Sequence, residues 1–418
     1  MSATGNSESL LKRLRTKAGR LYSFTLNSCN AVRGAFYMRR CAASRKKTGL
    51  RNPIRVGFLA QTPEVWDKQM SLFEYMQKDP RFEPQLIYVP HMDYVQYVRN
   101  EASDVNPEEK AFYEKLYGPE NVISYPETPS LDLTQFDYLF YDRPYNQLFP
   151  KPLQTSEAVR SARLCIINYG SDDWDLPFWY TPFAVNIHLW FASNTHEYVL
   201  HQGIFGRSRY HRAFDIGYPA YELYRSLPTI PGKNRILWTP RWSYDPTVGG
   251  SHFLEYVHQI MDFAANHREV SLTIRPHPLM FSNLVQEKRM TEEEVQALKQ
   301  KCADLGIRFD PHPIIADTFK ETDILISDYS SILSLFLSTG KPIIYCPGSI
   351  PLNEECLRQV DTMYTAENWP ALEQALLGLL DGRDPKQSAR QAVMAEPLRK
   401  AGHAAASISD AVWQDYTA

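Results

Sequence analysis

Six cysteines in 418 residues, with no CxxC pair and no histidine at zinc-ligand spacing, exclude a disulfide scaffold and argue against structural zinc. Cys29, Cys41, Cys165, Cys302, Cys346 and Cys356 are scattered and read as reduced thiols in a cytosolic compartment. No stretch reaches the roughly 18–20 uninterrupted apolar residues of a bilayer-spanning helix. The nearest, Leu21 to Met38, is broken by Asn27, Asn30 and Arg33. No clean apolar stretch followed by a small-residue cleavage site is present, so no secretory signal is expected. Walker A and GxGxxG sequences are both missing, which argues against a P-loop ATPase and a typical dehydrogenase. No DxD sequence marks a strand end, so neither an essential metal nor a cofactor is expected.

What is present is an ordinary globular composition, 44% hydrophobic and 13% aromatic, too rich in aromatics for a disordered chain. Charge is unevenly placed. Residues 1–51 carry twelve Lys or Arg against Glu8 alone, a net +11 that leaves the remaining chain at −14. Leu10, Leu11, Leu14, Ala18, Leu21 and Tyr22 recur near helical spacing among those cations. The pattern fits a helix lying on an anionic membrane surface. The acidic body offers no second basic patch, so nucleic acid is not the expected partner.

From Asn52 onward, short apolar runs alternate with helix-like stretches. Ile54–Ala60, Leu86–Val89, Tyr138–Tyr141, Leu164–Asn168 and Trp190–Ala192 form one series. Ile236–Thr239, Val270–Ile274, Ile307–Phe309, Ile324–Ser327 and Ile343–Cys346 form a second. Continuous rather than alternating apolarity predicts parallel strands buried on both faces. The expected fold is α/β, two facing Rossmann-like doubly wound domains with a ligand cleft at the strand carboxyl ends. The expected boundaries are a basic arm at 1–51, a first domain at 52–228 and a second at 229–395. A C-terminal helix at 396–418 is expected to pack back across them.

Three strand ends of the second domain carry anion-binding chemistry. Asp323–Ser331 reads DILISDYSS, an apolar strand followed by Asp328, Ser330 and Ser331 and then a helical run. Free N–H groups at a helix start hold phosphate, although serine there also serves simply as a cap. Arg275-Pro276-His277-Pro278 places a guanidinium and an imidazole beyond a second strand, where Arg forks onto phosphate oxygens. Trp238-Thr239-Pro240-Arg241-Trp242, followed by Gly249-Gly250-Ser251, adds Arg241 and a turn whose N–H groups face outward. Trp238 and Trp242 read as core or wall residues rather than base-stacking ones.

Together WTPRW, GSHFLEY, RPHP, ISDYSSIL and GKPIIYC resemble the CDP-glycerol glycerophosphotransferase family of teichoic-acid and capsule polymer synthesis. Phe140–Gly170 resembles one branch of it, and the likeness runs over about 140–415. The resemblance implies a GT-B-type fold, a CDP-polyol donor held by the second domain, and a lipid-linked or polysaccharide acceptor. It implies a peripheral enzyme on the inner face of the cell membrane, held through residues 1–51. It gives His277 and Arg275 the donor pyrophosphate, Ser330 and Ser331 the donor-phosphate helix, and Asp328 the shaping of that loop; Arg241 and Ser251 complete the expected phosphate set.

The chain departs from the family at one point. Better-known members carry Trp-His-Gly in the first domain, with the histidine as general base; here the counterpart reads Asn168-Tyr169-Gly170-Ser171-Asp172-Asp173. Asp172 and Asp173 are the expected bases, with His188 a further candidate. A nucleotide-sugar glycosyltransferase and a non-catalytic scaffold are the competing readings. Retention of Arg275, His277 and the SDYSS loop argues against the scaffold.

Overall fold

The computed structural model describes residues 28–29, 31–40, 43, 49–90, 105–128, 130–168, 170, 178–228, 230, 232–245 and 249–418. Asp172, Asp173 and most of the basic arm lie outside the described residues. The chain divides into two compact units, residues 1–218 with 404–418, and residues 219–403.

The first unit is built on a seven-stranded sheet. Its strands are β1 (Ile54–Ala60), β2 (Phe82–Tyr88), β3 (Val122–Ser124), β4 (Tyr138–Tyr141), β5 (Arg163–Ile167), β6 (Leu189–Phe191) and β7 (Arg212–Phe214). They lie in the order β3-β2-β1-β4-β5-β6-β7, every pair parallel. The second unit holds β8 (Arg235–Thr239), β9 (Ser271–Ile274), β10 (Arg308–Phe309), β11 (Ile324–Asp328), β12 (Ile343–Cys346) and β13 (Tyr364–Thr365). Their order is β10-β9-β8-β11-β12-β13, again all parallel. Both sheets are doubly wound, and each reverses direction once, at β1/β4 and at β8/β11. These reversals are the topological switch points of open α/β sheets.

The apolar runs become strands because helices cover both faces. All four residues of β4 and all four of β12 are buried. In the first unit Phe58 stacks on Phe140 at 4.9 Å between ring centroids, with Phe73 edge-on to Phe58 at 5.3 Å. In the second, Trp238 is fully buried and stacks on Phe253 at 5.4 Å, which makes it a core residue. The helix Phe253–Asn266 presents Phe253, Tyr256, Val257, Ile260 and Met261 to that core, the i, i+3, i+4 stripe of an amphipathic helix.

Two boundaries differ from the sequence expectation. The units divide at Tyr218/Pro219 rather than at 228/229, because the helix Pro219–Arg225 packs in the second unit, with Tyr224 against Phe319 at 5.2 Å. The segment expected at 396–418 as a C-terminal helix, its helical tail read at Ala404–Trp413, holds the end of one helix, Gln387–Ala401, and the whole of another, Ala404–Thr417. The first ends at Gly402 and belongs to the second unit; the other belongs to the first unit, where it packs on the helix Pro63–Lys78.

Candidate functional site

In the second unit, strand ends on both sides of the switch point meet around Asp328. This residue closes β11 and is 2% exposed. Its carboxylate accepts the Arg241 backbone N–H at 2.7 Å and the His252 backbone N–H at 3.4 Å, and pairs with His252 Nδ1 at 2.6 Å. One side chain thus ties the loop after β8 to the glycine turn before the helix Phe253–Asn266. Gly249 and Gly250 take φ of +107° and +69°. At Gly249 a Cβ would also stand 2.7 Å from Ile350 and 3.1 Å from Arg241 Nε, so only glycine lets the guanidinium lie this close to the turn. Arg241 donates to the Tyr329 carbonyl at 2.6 Å, and its Nε is buried without a partner.

The hydrogen bond to Asp328 raises the His252 pKa against the opposing effect of burial. His277 is placed differently. Its backbone N–H reaches the Pro240 carbonyl at 3.4 Å, and its Nδ1 accepts the Leu279 N–H at 3.2 Å. Crowding by surrounding protein first, and the Arg241 charge second, push it down to about 4. Its open face to solvent tempers the crowding. Arg241, His252, His277 and Asp328 therefore form one neighbourhood, with the accessible imidazole of His277 beside the Arg241 guanidinium.

The remaining expected residues are placed as follows. Arg275 pairs with Asp310 and donates to the carbonyls of His312 at 2.7 Å and Pro313 at 2.9 Å. Its guanidinium holds the loop after β10. Beside that strand opens a cavity of about 520 Å³, lined among others by Thr273, Phe309, Asp310, His312 and Thr318. Ser251 Oγ accepts the Phe253 N–H at 3.3 Å and so serves the helix start. Ser330 Oγ is buried and unpartnered, and Ser331 precedes a helix of six residues, Ile332–Leu337. So short a helix contributes little macrodipole to an anion. His252 was missed as a functional residue, although a carboxylate closing an apolar strand at Asp328 was a signal that some partner was needed.

His188 does not have the setting of a base. It is 5% exposed and stands before β6, at the amino end of the first sheet, with Nδ1 2.6 Å from the Tyr210 carbonyl and Nε2 2.9 Å from Asp415. Asp415, on the helix Ala404–Thr417, also accepts Tyr138 Oη at 2.7 Å and Arg212 at 3.1 Å, and pairs with Arg163. Burial alone would raise the Asp415 pKa; His188, Arg163 and Tyr138 outweigh it and hold the carboxyl well below the usual range. Both ring nitrogens of His188 are spent on this anchor, so its role as a base is corrected to a structural one. Among the described residues, no group of three or more His, Cys, Asp or Glu side chains converges to hold a metal ion, and no helix is long and apolar enough to cross a membrane.

Comparison with known proteins bears out the resemblance seen in the motifs. Residues 192–348 match the family described as CDP-Glycerol:Poly(glycerophosphate) glycerophosphotransferase, a span that contains the whole neighbourhood of Asp328. No curated protein matches the chain in sequence. Among solved structures, the wall teichoic acid polymerase TagF is similar at a TM-score of 0.51 and 14% identity, over 96% of this chain and 98% of that one. The S. aureus MnaA–UDP structure is similar at 0.55 and 15%, over 86% and 96%. The UDP-GlcNAc 2-epimerase of Neisseria meningitidis bound to UDP-GlcNAc is similar at 0.53 and 12%, over 86% and 100%. At these identities the likeness is one of fold, the two-sheet GT-B type.

Proposed function

We propose that this transferase, of the CDP-glycerol glycerophosphotransferase type, moves glycerol phosphate or a related polyol phosphate from a CDP-activated donor to a hydroxyl of a lipid-linked or polysaccharide acceptor. The observation that carries the reading is the convergence of Arg241, His252 and His277 around Asp328, within the family-matched segment. An acceptor hydroxyl attacks the β-phosphorus, its proton passes to a base, and CMP leaves with the electron pair of the broken P–O bond. Negative charge grows on the leaving phosphate. Fixed cations and donors aimed there supply stabilisation without reorganising. Arg241 offers positive charge, His252 stands beside it on Asp328, and Ser330 Oγ is a buried hydroxyl with no other partner. His277, held neutral, offers a neutral hydrogen bond to the same phosphate. The cavity beside β10 falls within the range of about 300–1,000 Å³ usual for ligand sites; Arg275 acts through Asp310 to keep its rim in place.

The test is release of CMP from CDP-glycerol and CDP-ribitol, beside UDP- and GDP-sugars, by the wild type and by His277→Ala and Arg241→Ala. Loss of one transition-state donor costs roughly 2.7–4 kcal/mol, so each variant should fall at least about 100-fold with its melting temperature little changed. Near-normal turnover in both variants would overturn the assignment, as would turnover of a nucleotide sugar in place of the CDP-polyols. The basic residues 1–51 suit an enzyme held on anionic lipid. Full-length protein should sediment with anionic vesicles and be released by salt; equal sedimentation after removal of residues 1–48 would discard that role.

A further inference from the structure

The carboxyl edge of the first sheet carries polar groups that the donor chemistry leaves unused. Gln61 follows β1, Asp142 follows β4 and Asn168 follows β5, so three neighbouring strands deliver them to one edge, across the switch point. Their exposures are 0%, 1% and 1%. Buried polar atoms nearly always find partners. Here Gln61 Oε1, Asp142 Oδ1 and both amide atoms of Asn168 have none. The Tyr113 hydroxyl is likewise buried and unpartnered, and the Asp142 charge acts on it.

The second unit shows what this position is for. In both sheets the strand across the switch point is bracketed by aspartates five residues apart: Asp137 and Asp142 around β4, Asp323 and Asp328 around β11. Asp137 accepts the Arg55 N–H at 3.0 Å, and Asp323 accepts the Arg235 N–H at 3.0 Å. Val56 is level with Tyr138, as Ile236 is with Ile324, so Asp142 and Asp328 occupy matching register positions. Asp328 receives the N–H of Arg241; Asp142 receives that of the matching residue, Gln61. They differ at the remaining oxygen, which meets His252 in one unit and nothing in the other.

The free atoms select a ligand class. Gln61 Nε2 donates to the Leu148 carbonyl at 2.7 Å, which fixes the amide and leaves Oε1 as an acceptor. A carboxylate oxygen, two amide oxygens and one amide NH₂ make a set dominated by acceptors. Such a set repels phosphate and suits hydroxyls, each of which brings a proton to give and lone pairs to receive. We infer that Gln61, Asp142 and Asn168 form a polyol-binding site in the first unit, which takes the hydroxyl-bearing part of the acceptor. Its identity as the acceptor site rests on the transfer reaction proposed above; the binding of a polyol does not. Burial, opposed by Arg143 and by the N–H groups of Asp142 and Gln61, pushes Asp142 up to about 6, where its carboxylate readily accepts a hydrogen bond from a hydroxyl at neutral pH.

The experiment is ligand-observed saturation-transfer NMR on the full chain with ribitol, glycerol 3-phosphate and CMP, and with inorganic phosphate as competitor. Ribitol and glycerol 3-phosphate should bind and phosphate should not displace them. Asp142→Asn, which keeps the side-chain shape, and Asn168→Leu, which fills the space, should each weaken polyol binding at least tenfold and leave CMP binding unchanged. Absence of polyol signal from the wild type, or variants that bind as the wild type does, would overturn the site and leave a pocket for structural water. Displacement by phosphate would overturn its selectivity. Polyol binding without CMP binding would support this site and count against the donor reading alone.

Discussion

Asp142 and Asp328 sit at matching places in two sheets of like topology, yet one is left partly bare and the other is saturated. Around Asp328 every oxygen is engaged, so it works as a hub that positions Arg241 and His252. Around Asp142 one oxygen has no partner and burial is nearly complete, a state that costs free energy in the folded protein. The difference teaches that a switch-point aspartate can be used as scaffold or kept ready for a ligand, depending on what the neighbouring loop supplies. His252 is that supply in the second unit.

The sharpest way to break the comparison is to remove each carboxylate. Asp328→Ala strands a half-buried imidazole and two backbone N–H groups, a loss below the roughly 3–5 kcal/mol of a fully buried pair. It should lower the melting temperature markedly and abolish turnover. Asp142→Asn should do the reverse to stability. The carboxyl titrates near 6 in the fold and near the ordinary value of 3.8 when unfolded, so the native state holds the extra proton between those values. Stability therefore falls as pH rises through that window, and the penalty is complete above it. Arg143 is the facing cation; Glu109 and Glu64 are nearby acids that do not relieve it. The neutral amide should gain on the order of 3 kcal/mol at pH 7.5 and less than about 1 kcal/mol at pH 4, read from thermal melts at the two pH values. A variant no more stable than the wild type at pH 7.5 would mean that Asp142 is satisfied after all.

Ten strands were legible in the sequence, nine of them inner strands whose burial forces an apolar run; the tenth, β10, is a two-residue edge strand read from Ile307–Phe309. The unread strands β3, β7 and β13 are edge strands of two or three residues, where only one side is paired and no such run is required. Arg241, His277 and Asp328 were legible because motif residues stand at strand ends, where ligands bind. Asp142 and Asn168 were not singled out as site residues, since their importance arises only when strands far apart in sequence are placed side by side. A signal was nonetheless present, in the matching spacing of DYLFYD and DILISD. His188 misled because its sequence neighbours do not reveal that it stands at the amino end of β6, against a carboxylate from the last helix. Arg275 looked free for phosphate because Asp310, its partner, lies on another strand's loop.

The smallest expected effect is also the most direct comparison, the same oxygen atom deleted at two places in the first unit. Tyr138 Oη donates to Asp415 at 2.7 Å, inside the saturated cluster at the amino end of the sheet. Asp415 holds two guanidiniums and His188 as well, so its charge is stabilised above the ordinary carboxylate range and that contribution is lost as pH falls below it. Tyr138→Phe removes a hydrogen bond to a charged acceptor, worth roughly 1.5–3 kcal/mol. It leaves Asp415 with its other partners, so the loss should lie at the lower end of that range. Tyr113 Oη, near Asp142, has no partner to lose. Tyr113→Phe relieves a buried, unsatisfied hydroxyl and should leave stability unchanged or raise it by up to about 1 kcal/mol. Denaturant midpoints at pH 7.5 give both values in one experiment. Equal losses in the two variants would mean that the Tyr113 hydroxyl is satisfied in solution, by water or by a bound group, and would take away one of the five unpartnered groups that mark the carboxyl edge as a ligand site.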